Sequence, residues 1–280
     1  AFDNGRNGRL NIGIVRLDHI SNFNEFDPLF FDERLAVRFF DGIPFKIDEF
    51  DMIIIPGSKS TAADLAAVKK SGLFDYIKSF EKNGKGIIMG ICGGFQMMGE
   101  RITDPYNLES SAGSVFAGGI SGFGFFKTET ELSEEKILVN QKYKFKLNDN
   151  ARGSFLSGYE IHNGRTFFSK NYSGGDIAAD IFEQAENGSG GFSPEAGILS
   201  KDNRKIGTYV HGLFGNEIFK DFIIELINKN IESKGKKYRY GGREAGSRSY
   251  ETVKNDSFNL LSENIERHIN IELLESIADI

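Results

Sequence analysis

The residues most able to do chemistry surround the single cysteine of the chain, Cys92. It lies at the centre of the string GICGGFQ at residues 90–96, directly after a continuous apolar run. Glycines on both sides of a cysteine are typical of a nucleophile elbow, a tight strand-to-helix turn that exposes a reactive side chain. A helix start also favours the thiolate. An inert buried thiol is the commoner fate of a lone cysteine in an apolar strand, but the glycines favour a nucleophile.

A cysteine that cleaves an amide needs a general base, and His211 is the best placed of the four histidines. It follows the apolar run at 206–210, and sheet enzymes carry catalytic groups at strand ends. His19 lies in an early loop and His268 on a predicted tail helix, so core or surface roles fit them better. We therefore predict a pair formed by Cys92 and His211.

The string IPGSKST at residues 55–61 resembles a phosphate-binding loop. Such a loop needs a glycine upstream, where Met52 and Ile53 stand instead, so we reject a nucleotide site here. A glycine turn after a central strand can instead direct backbone N–H groups at a neighbouring elbow. We predict that Gly57 and Gly93 form the oxyanion hole.

Apolar runs predict the strands that position these groups, at residues 10–17, 35–40, 50–55 and 86–92. Helical spacing predicts a helix over 61–83, broken near Ser71 and Gly72. Strand, helix, strand order implies a parallel sheet. The predicted fold is α/β, an open and mostly parallel, flavodoxin-like sheet with flanking helices and a C-terminal helical tail.

The second half of the chain is rich in glycine turns and β-like stretches. We interpret residues 142–147, 155–160 and 206–210 as the later half of the sheet and its excursions, closed by an amphipathic helix over 218–227. The predicted domains are 1–230 for the main domain, 231–254 for a polar basic linker, and 255–280 for a helical tail. Apolar positions at Phe258, Leu261 and Ile265, then at 271, 274 and 277, suggest that the tail docks on the domain or a partner.

Composition narrows the function classes. Hydrophobic residues at 39% and charged residues at 26% indicate a globular chain with a sizeable core. A net charge of −6 argues against nucleic acid as a partner, and the basic stretch at 234–248 fits a solvated linker better. No apolar run is long enough to span a membrane, and a single cysteine fits the cytoplasm. We see no metal-ligand spacing, and a start without methionine suggests a fragment or processed product.

Five strings together resemble the C-terminal glutamine amidotransferase domain of the cobyric acid synthase family, a class I amidotransferase. That family amidates corrin carboxylates in cobalamin synthesis. The resemblance covers nearly the whole chain. The strings are ISNFNEFDPL at 20–29, PGSKST at 56–61, GICGGFQ at 90–96, GYEIHNGRT at 158–166 and GTYVHGLF at 207–214.

The resemblance implies that Cys92 attacks the side-chain amide of glutamine while His211 relays protons. Ammonia then leaves, and a glutamyl thioester forms and is hydrolysed. Gln96 would help to hold the glutamine. Glu160 and His162 match a segment near the site, where they would contact the substrate or simply form a satisfied polar strand end. Related enzymes carry a glutamate two residues after the histidine; Leu213 stands there, so the orienting carboxylate is unassigned.

The family also has an N-terminal ATP-binding synthetase domain without a counterpart in this chain. ATP and magnesium are therefore expected there, and no cofactor is expected here. The chain would act as a glutaminase whose partner, in the same full-length protein or a separate chain, is a synthetase domain with a corrin substrate. Two alternatives are a glutaminase subunit of another ligase, such as a cell-wall amidotransferase, and a non-catalytic docking module that has kept the glycines.

Overall fold

The computed structural model describes residues 9–109, 118–147, 154–170, 172–175, 177–184, 194–233 and 250–269. The chain divides into two compact units, Ala1–Gly241 and Gly242–Ile280. The strands of the described residues all belong to the first unit. They are β1 (Leu10–Val15), β2 (Leu35–Phe40), β3 (Met52–Ile55), β4 (Ile87–Ile91), β5 (Arg101–Thr103), β6 (Ile120–Ser121), β7 (Thr128–Phe145), β8 (Phe155–Phe168), β9 (Ile177–Asp180), β10 (Phe182–Gln184), β11 (Ile198–Ser200) and β12 (Lys205–Thr208).

Seven of these strands form the main sheet, in the order β2-β1-β3-β4-β12-β11-β9. The strands from β2 to β12 are parallel to their neighbours, whereas β11 pairs antiparallel with both β12 and β9. The sequence correctly predicts this open, mostly parallel sheet. Since β1, β3, β4 and β12 are adjacent and parallel, the loops that follow them emerge at one edge, where α/β enzymes build their sites.

The central strands owe their position to their composition. Every residue of β3 (MIII) and β4 (IIMGI) is buried. A continuous apolar run of this kind is stable only where both faces of the sheet are covered. Strand β2, at the sheet edge, is buried only at its first and last residues and is intermediate or exposed between them.

Two helical segments of the first unit, at 61–83 and 218–227, lie where helical periodicity predicts them. The predicted break near Ser71 is confirmed, because Gly72 has a φ of 82° and separates α2 from α3. The predicted helix at 218–227 is also confirmed and extends further at its C-terminal end. The helices are α1 (Asp27–Phe30), α2 (Thr61–Lys70), α3 (Leu73–Asn83), α4 (Gly93–Met98) and α5 (Glu217–Glu232).

A second sheet corrects the prediction for the middle of the chain. Strands β10, β7, β5 and β6 are neighbours in that order, and β8 pairs antiparallel with β7 along a long hairpin. The stretches 142–147 and 155–160 therefore belong to this separate sheet, and only 206–210 contributes to the main one. The sequence does not distinguish the main sheet from the second sheet, because alternation of apolar and polar residues indicates a strand but not the strand with which it pairs.

The second unit contains helix α6 (Tyr250–His268), on which Phe258, Leu261 and Ile265 are exposed. Helices reach into both ends of the predicted 231–254 linker, since α5 ends at Glu232 and α6 begins at Tyr250. Residues 234–249 and the predicted apolar positions 271, 274 and 277 lie outside the described residues. Docking of the tail on the main domain or a partner stays a prediction. Among the described helices, none is both long and apolar enough to cross a membrane.

Candidate active site

Cys92 occupies the turn between β4 and α4, as the glycine pattern predicts. Its backbone has φ 50° and ψ −112°, a conformation that non-glycine residues rarely adopt outside strained functional turns. The neighbouring strand leaves no room for side chains here: a Cβ atom on Gly94 would lie 1.9 Å from the carbonyl oxygen of Ile55. The sequence therefore folds into an elbow that holds the thiol at the carboxyl end of β4.

His211 follows β12, the strand next to β4. Two backbone hydrogen bonds join it to Tyr159, whose ring also stacks on the imidazole at a centroid distance of 5.3 Å. The imidazole is completely buried, and Cys92 is one of the groups that raise its pKa. A Cβ atom placed on Gly57 would lie 3.2 Å from Cε1 of His211 and 3.7 Å from Cβ of Cys92. The structure thus brings the predicted pair together.

Glu25 supplies a carboxylate that the sequence left unassigned. Both of its carboxylate oxygens lie 3.2 Å from Nδ1 of His211. A carboxylate only accepts hydrogen bonds, so Nδ1 carries the hydrogen and Nε2 is the nitrogen free to act on a substrate. Among the described residues, Nε2 has no hydrogen-bond partner. The order of groups is therefore carboxylate, imidazole, thiol, as in a nucleophilic triad.

The Glu25 carboxylate is held by its own loop, which follows β1. Backbone hydrogen bonds from Ser21 to Gly57 and from Lys59 to His19 tie this loop to the one after β3. Phe26, the next residue after Glu25, is buried and contacts the Phe214 ring near His211. The loops after four neighbouring parallel strands thus contribute Glu25, Gly57, Cys92 and His211.

The protonation of His211 reflects these neighbours. Burial opposes the charged ring, but the neighbouring Cys92 and the hydrogen-bonded, negatively charged Glu25 raise its pKa to about 10. The imidazole therefore keeps its second proton at neutral pH. An imidazolium next to a cysteine favours the thiolate, which is the nucleophilic form of that side chain.

The two predicted oxyanion donors flank the thiol. Gly93 begins α4, and the first amides of a helix have no acceptor within the helix. Gly57 lies against both Cys92 and His211, and its lack of a side chain permits this close approach. The direction of the two N–H groups towards a bound amide stays a prediction.

Gln96 lies one helical turn beyond Cys92 and is buried. Its Nε2 atom donates to the carbonyl oxygen of Asn163 and to the hydroxyl of Tyr209, each at 3.2 Å. Its Oε1 atom accepts a hydrogen bond from Thr61 at 3.1 Å. Both amide hydrogens are therefore in use, and only Oε1 has spare capacity. If Gln96 holds the glutamine substrate, as predicted, it can do so only by accepting a hydrogen bond at Oε1.

His162 and Glu160 form a separate buried pair. Nδ1 of His162 lies 3.1 Å from the carbonyl oxygen of Gly164, and Nε2 lies 3.3 Å from Glu160. The other oxygen of Glu160 accepts a hydrogen bond from Tyr143. With both ring nitrogens engaged by protein groups, His162 has none to offer Cys92. His162 lines the cavity described next, and substrate contact by either residue stays a prediction.

A cavity of about 370 Å³ opens beside the thiol. Its wall includes cationic side chains from Lys59 and Lys136 and one anionic side chain, Glu109. Cavities that hold small ligands combine a few placed polar groups with apolar surface. The other lining residues are Ser21, Asn22, Ser58, Thr61, Cys92, Gln96, Leu108, Leu132, Ile161, His162 and Asn163.

The segment after β3 is built unlike a phosphate loop. The amide of Ala62, in the first turn of α2, donates to Oε2 of Glu109 at 2.7 Å. A carboxylate thus occupies the helix end that would otherwise face a phosphate. Ser58 donates to Asp64 at 2.6 Å within the same turn. In the described residues, no group of three or more His, Cys, Asp or Glu side chains is arranged to hold a metal ion.

Comparison with known proteins agrees with this geometry. The model of the CobB/CobQ-like glutamine amidotransferase domain matches residues 11–219. The chain is 33% identical over 277 residues to a cobyric acid synthase of Syntrophobacter fumaroxidans, covering 98% of this chain and 50% of the relative. It is 34% identical to a cobyric acid synthase of a Geobacillus species, covering 95% and 47%. The chain thus spans about half the length of these relatives.

One solved structure supports the fold independently. PurLQS from Thermotoga maritima superposes with a TM-score of 0.53, covering 81% of this chain and 100% of that chain, at 16% identity. At that identity the likeness concerns the fold alone. The family match extends over about three quarters of the chain and includes the elbow, both adjacent loops and His211. The chain therefore belongs to the CobB/CobQ-like glutamine amidotransferase domain family.

Proposed function

We propose that this chain hydrolyses glutamine at Cys92 and supplies the ammonia for ATP-dependent amidation of corrin carboxylates. The observation that carries the proposal is the order of Glu25, His211 and Cys92, with Cys92 in the lining of a cavity. A thiol activated by a carboxylate-bound imidazole is suited to acyl transfer from an amide. The family supports glutamine as that amide, and the cobyric acid synthase relatives support a corrin acid as the acceptor.

The mechanism follows from the positions of the groups. The Cys92 thiolate attacks the amide carbon, and the amides of Gly57 and Gly93 stabilise the oxyanion. His211 donates the proton on Nε2 to the departing nitrogen, so ammonia leaves and a glutamyl thioester remains. Nε2 then accepts a proton from water, whose oxygen attacks the thioester. Glutamate is released, and the proton stays shared between His211 and Cys92.

Glu25 acts in this proposal as a positioning residue. Its hydrogen bond to Nδ1 fixes the ring orientation, and its charge favours the protonated ring. Without the charge, the pKa of His211 falls, so the ring loses its second proton at a lower pH. The proton needed by the leaving nitrogen then disappears at a lower pH as well.

Glu25→Gln should therefore lower the glutaminase kcat by roughly 10- to 100-fold, a part of the usual acid–base contribution. The alkaline limb of kcat against pH should also move to lower pH, because the wild-type limb reflects a His211 pKa of about 10. Glutamate release measured from pH 6 to about pH 11 tests both effects. Glu33→Gln, the same change at an exposed carboxylate, should alter neither. A lower rate with an unmoved alkaline limb would contradict the assigned role.

We further propose that the partner of this chain is an ATP-dependent synthetase domain. Relatives of about twice the length of this chain support a synthetase domain that binds ATP and magnesium and amidates the corrin. Within this chain, the segment most like a phosphate loop is residues 55–61, and the Glu109 carboxylate already accepts a hydrogen bond from the helix start that follows it. A glutaminase subunit of a different ligase is the alternative, which the cobyric acid synthase relatives disfavour.

Coupling to the synthetase should accelerate the reaction. Because ammonia without an acceptor is wasted, we expect slow glutamine hydrolysis by the chain alone, with full speed only when a partner aligns the site. The test is to add a separately produced synthetase domain with ATP, magnesium and a corrin acid, and to follow glutamate release. Omission of the corrin acid is the control. No stimulation despite demonstrated complex formation would show that this chain already has a complete site.

A further inference from the structure

Glu109 is a charged group in the cavity that the mechanism above does not use. The buried carboxylate of Asp104 accepts hydrogen bonds from the amides of Leu108 and Glu109 at 2.8 and 2.9 Å, which fixes the backbone of this segment. The Glu109 side chain then reaches the first turn of α2, where the amide of Ala62 donates to it. The carboxylate is thus held rigidly in the cavity wall.

Two of the charged groups near Glu109 are themselves carboxylates, Asp104 and Asp64. Burial raises the pKa of Glu109, and these negative charges act in the same direction, although hydrogen bonding to backbone amides opposes them. A carboxylate has about four lone-pair positions, and the Ala62 amide occupies one of them. An ammonium group that entered the cavity would therefore find acceptors already in place, and would relieve the repulsion among the carboxylates.

Cys92 and Glu109 line the same cavity. Cys92 and Gln96 are one helical turn apart, an advance of about 5.4 Å. The hydroxyl of Thr61 donates to Gln96, and the amide of the next residue, Ala62, donates to Glu109. In extended glutamine, the side-chain amide carbon and the α-nitrogen are separated by about 5 Å, so both ends of one glutamine can be bound in this cavity. Lys59 and Lys136 also line the cavity and provide the opposite charge for an α-carboxylate.

We propose that Glu109 binds the α-ammonium group of the substrate and makes the site selective for free glutamine over amides without that group. The inference rests on the proposed glutaminase function. Glu109 would then recognise the substrate and also accept the hydrogen bond from the first turn of α2. A purely structural role would make Glu109 matter equally for every amide substrate.

The test compares glutamine with 4-carbamoylbutanoate, which has the same amide and carboxylate but no ammonium group. Wild-type kcat/KM should favour glutamine by roughly 10- to 100-fold, the effect of one charged hydrogen-bonded pair. Glu109→Gln keeps an acceptor for the α2 amides, and it should abolish this preference through a higher KM for glutamine. The value for 4-carbamoylbutanoate should stay the same. Glu109→Asp should retain part of the preference, and Glu100→Gln, a carboxylate outside the cavity lining, all of it.

Two results would overturn the inference while leaving the glutaminase intact. One is a wild-type enzyme that hydrolyses both amides equally well, which needs no variant to establish. The other is an equal loss of activity towards both amides in Glu109→Gln. A wild-type chain without any glutamine hydrolysis, alone or with its synthetase partner, would overturn the proposed function and this inference with it.

Discussion

Cys92→Ala is expected to abolish glutamine hydrolysis, with a loss of roughly 10³-fold or more, because no other nucleophile can replace the thiol. The fold should survive the change. Alanine keeps the Cβ atom and therefore leaves the backbone at φ 50° under the same strain. Loss of one sulfur atom at this turn should change the free energy of unfolding by only about 1 kcal/mol.

Two measurements on the same preparation separate chemistry from folding. Glutamate release reports the reaction, and the thermal unfolding midpoint reports the fold. An inactive variant with a nearly unchanged midpoint is the expected result. Undiminished hydrolysis by Cys92→Ala would remove the basis for the mechanism, since the chain contains no second cysteine.

His211→Asn has the second largest expected effect. General acid–base catalysis contributes about 10²–10⁴-fold, and here the same ring also activates the thiol. We expect kcat for glutamine to fall within or beyond that range, and addition of the synthetase partner should not restore it. Asparagine retains a polar group that can reach Glu25, which limits the cost of leaving that carboxylate buried.

His162→Asn is the matched control for this variant. Both histidines are buried, and both substitutions remove a ring that stacks on a tyrosine, Tyr209 for His162 and Tyr159 for His211. Structural disturbance should therefore be comparable. Of the two rings, His211 has a nitrogen without a partner among the described residues, whereas both nitrogens of His162 are engaged. A larger loss of kcat in His162→Asn than in His211→Asn would mean that the base is wrongly assigned.

The central part of the fold is readable from the sequence because its signals are local. The continuous apolar runs at 50–55 and 86–92 predict buried strands, and the glycines around Cys92 predict the elbow. His211 is recognisable as the end of an apolar strand. Each of these inferences needs only a few neighbouring residues, and each corresponds to an observed element.

Glu25 could not be recognised in the same way. It is separated from His211 by 186 positions, and only the strand order brings β1 and β12 to the same side of one sheet edge. A weak signal existed, because Glu25 lies in the loop that follows the first predicted strand. Parallel strands direct such loops to a common edge, but the order of the strands is not encoded locally. The second sheet was missed for the same reason.

The glutamine site at Cys92 is tested most directly by labelling with a chloroketone analogue of glutamine, followed by mass spectrometry of the peptides. We expect a single adduct on Cys92. Its formation should saturate with reagent concentration and should be slowed by excess glutamine and by His211→Asn. A chloroketone of the same length without the amino-acid end should react far more slowly. Labelling of Cys92 at a rate that glutamine does not reduce would contradict the claim that its thiol lies in a glutamine site.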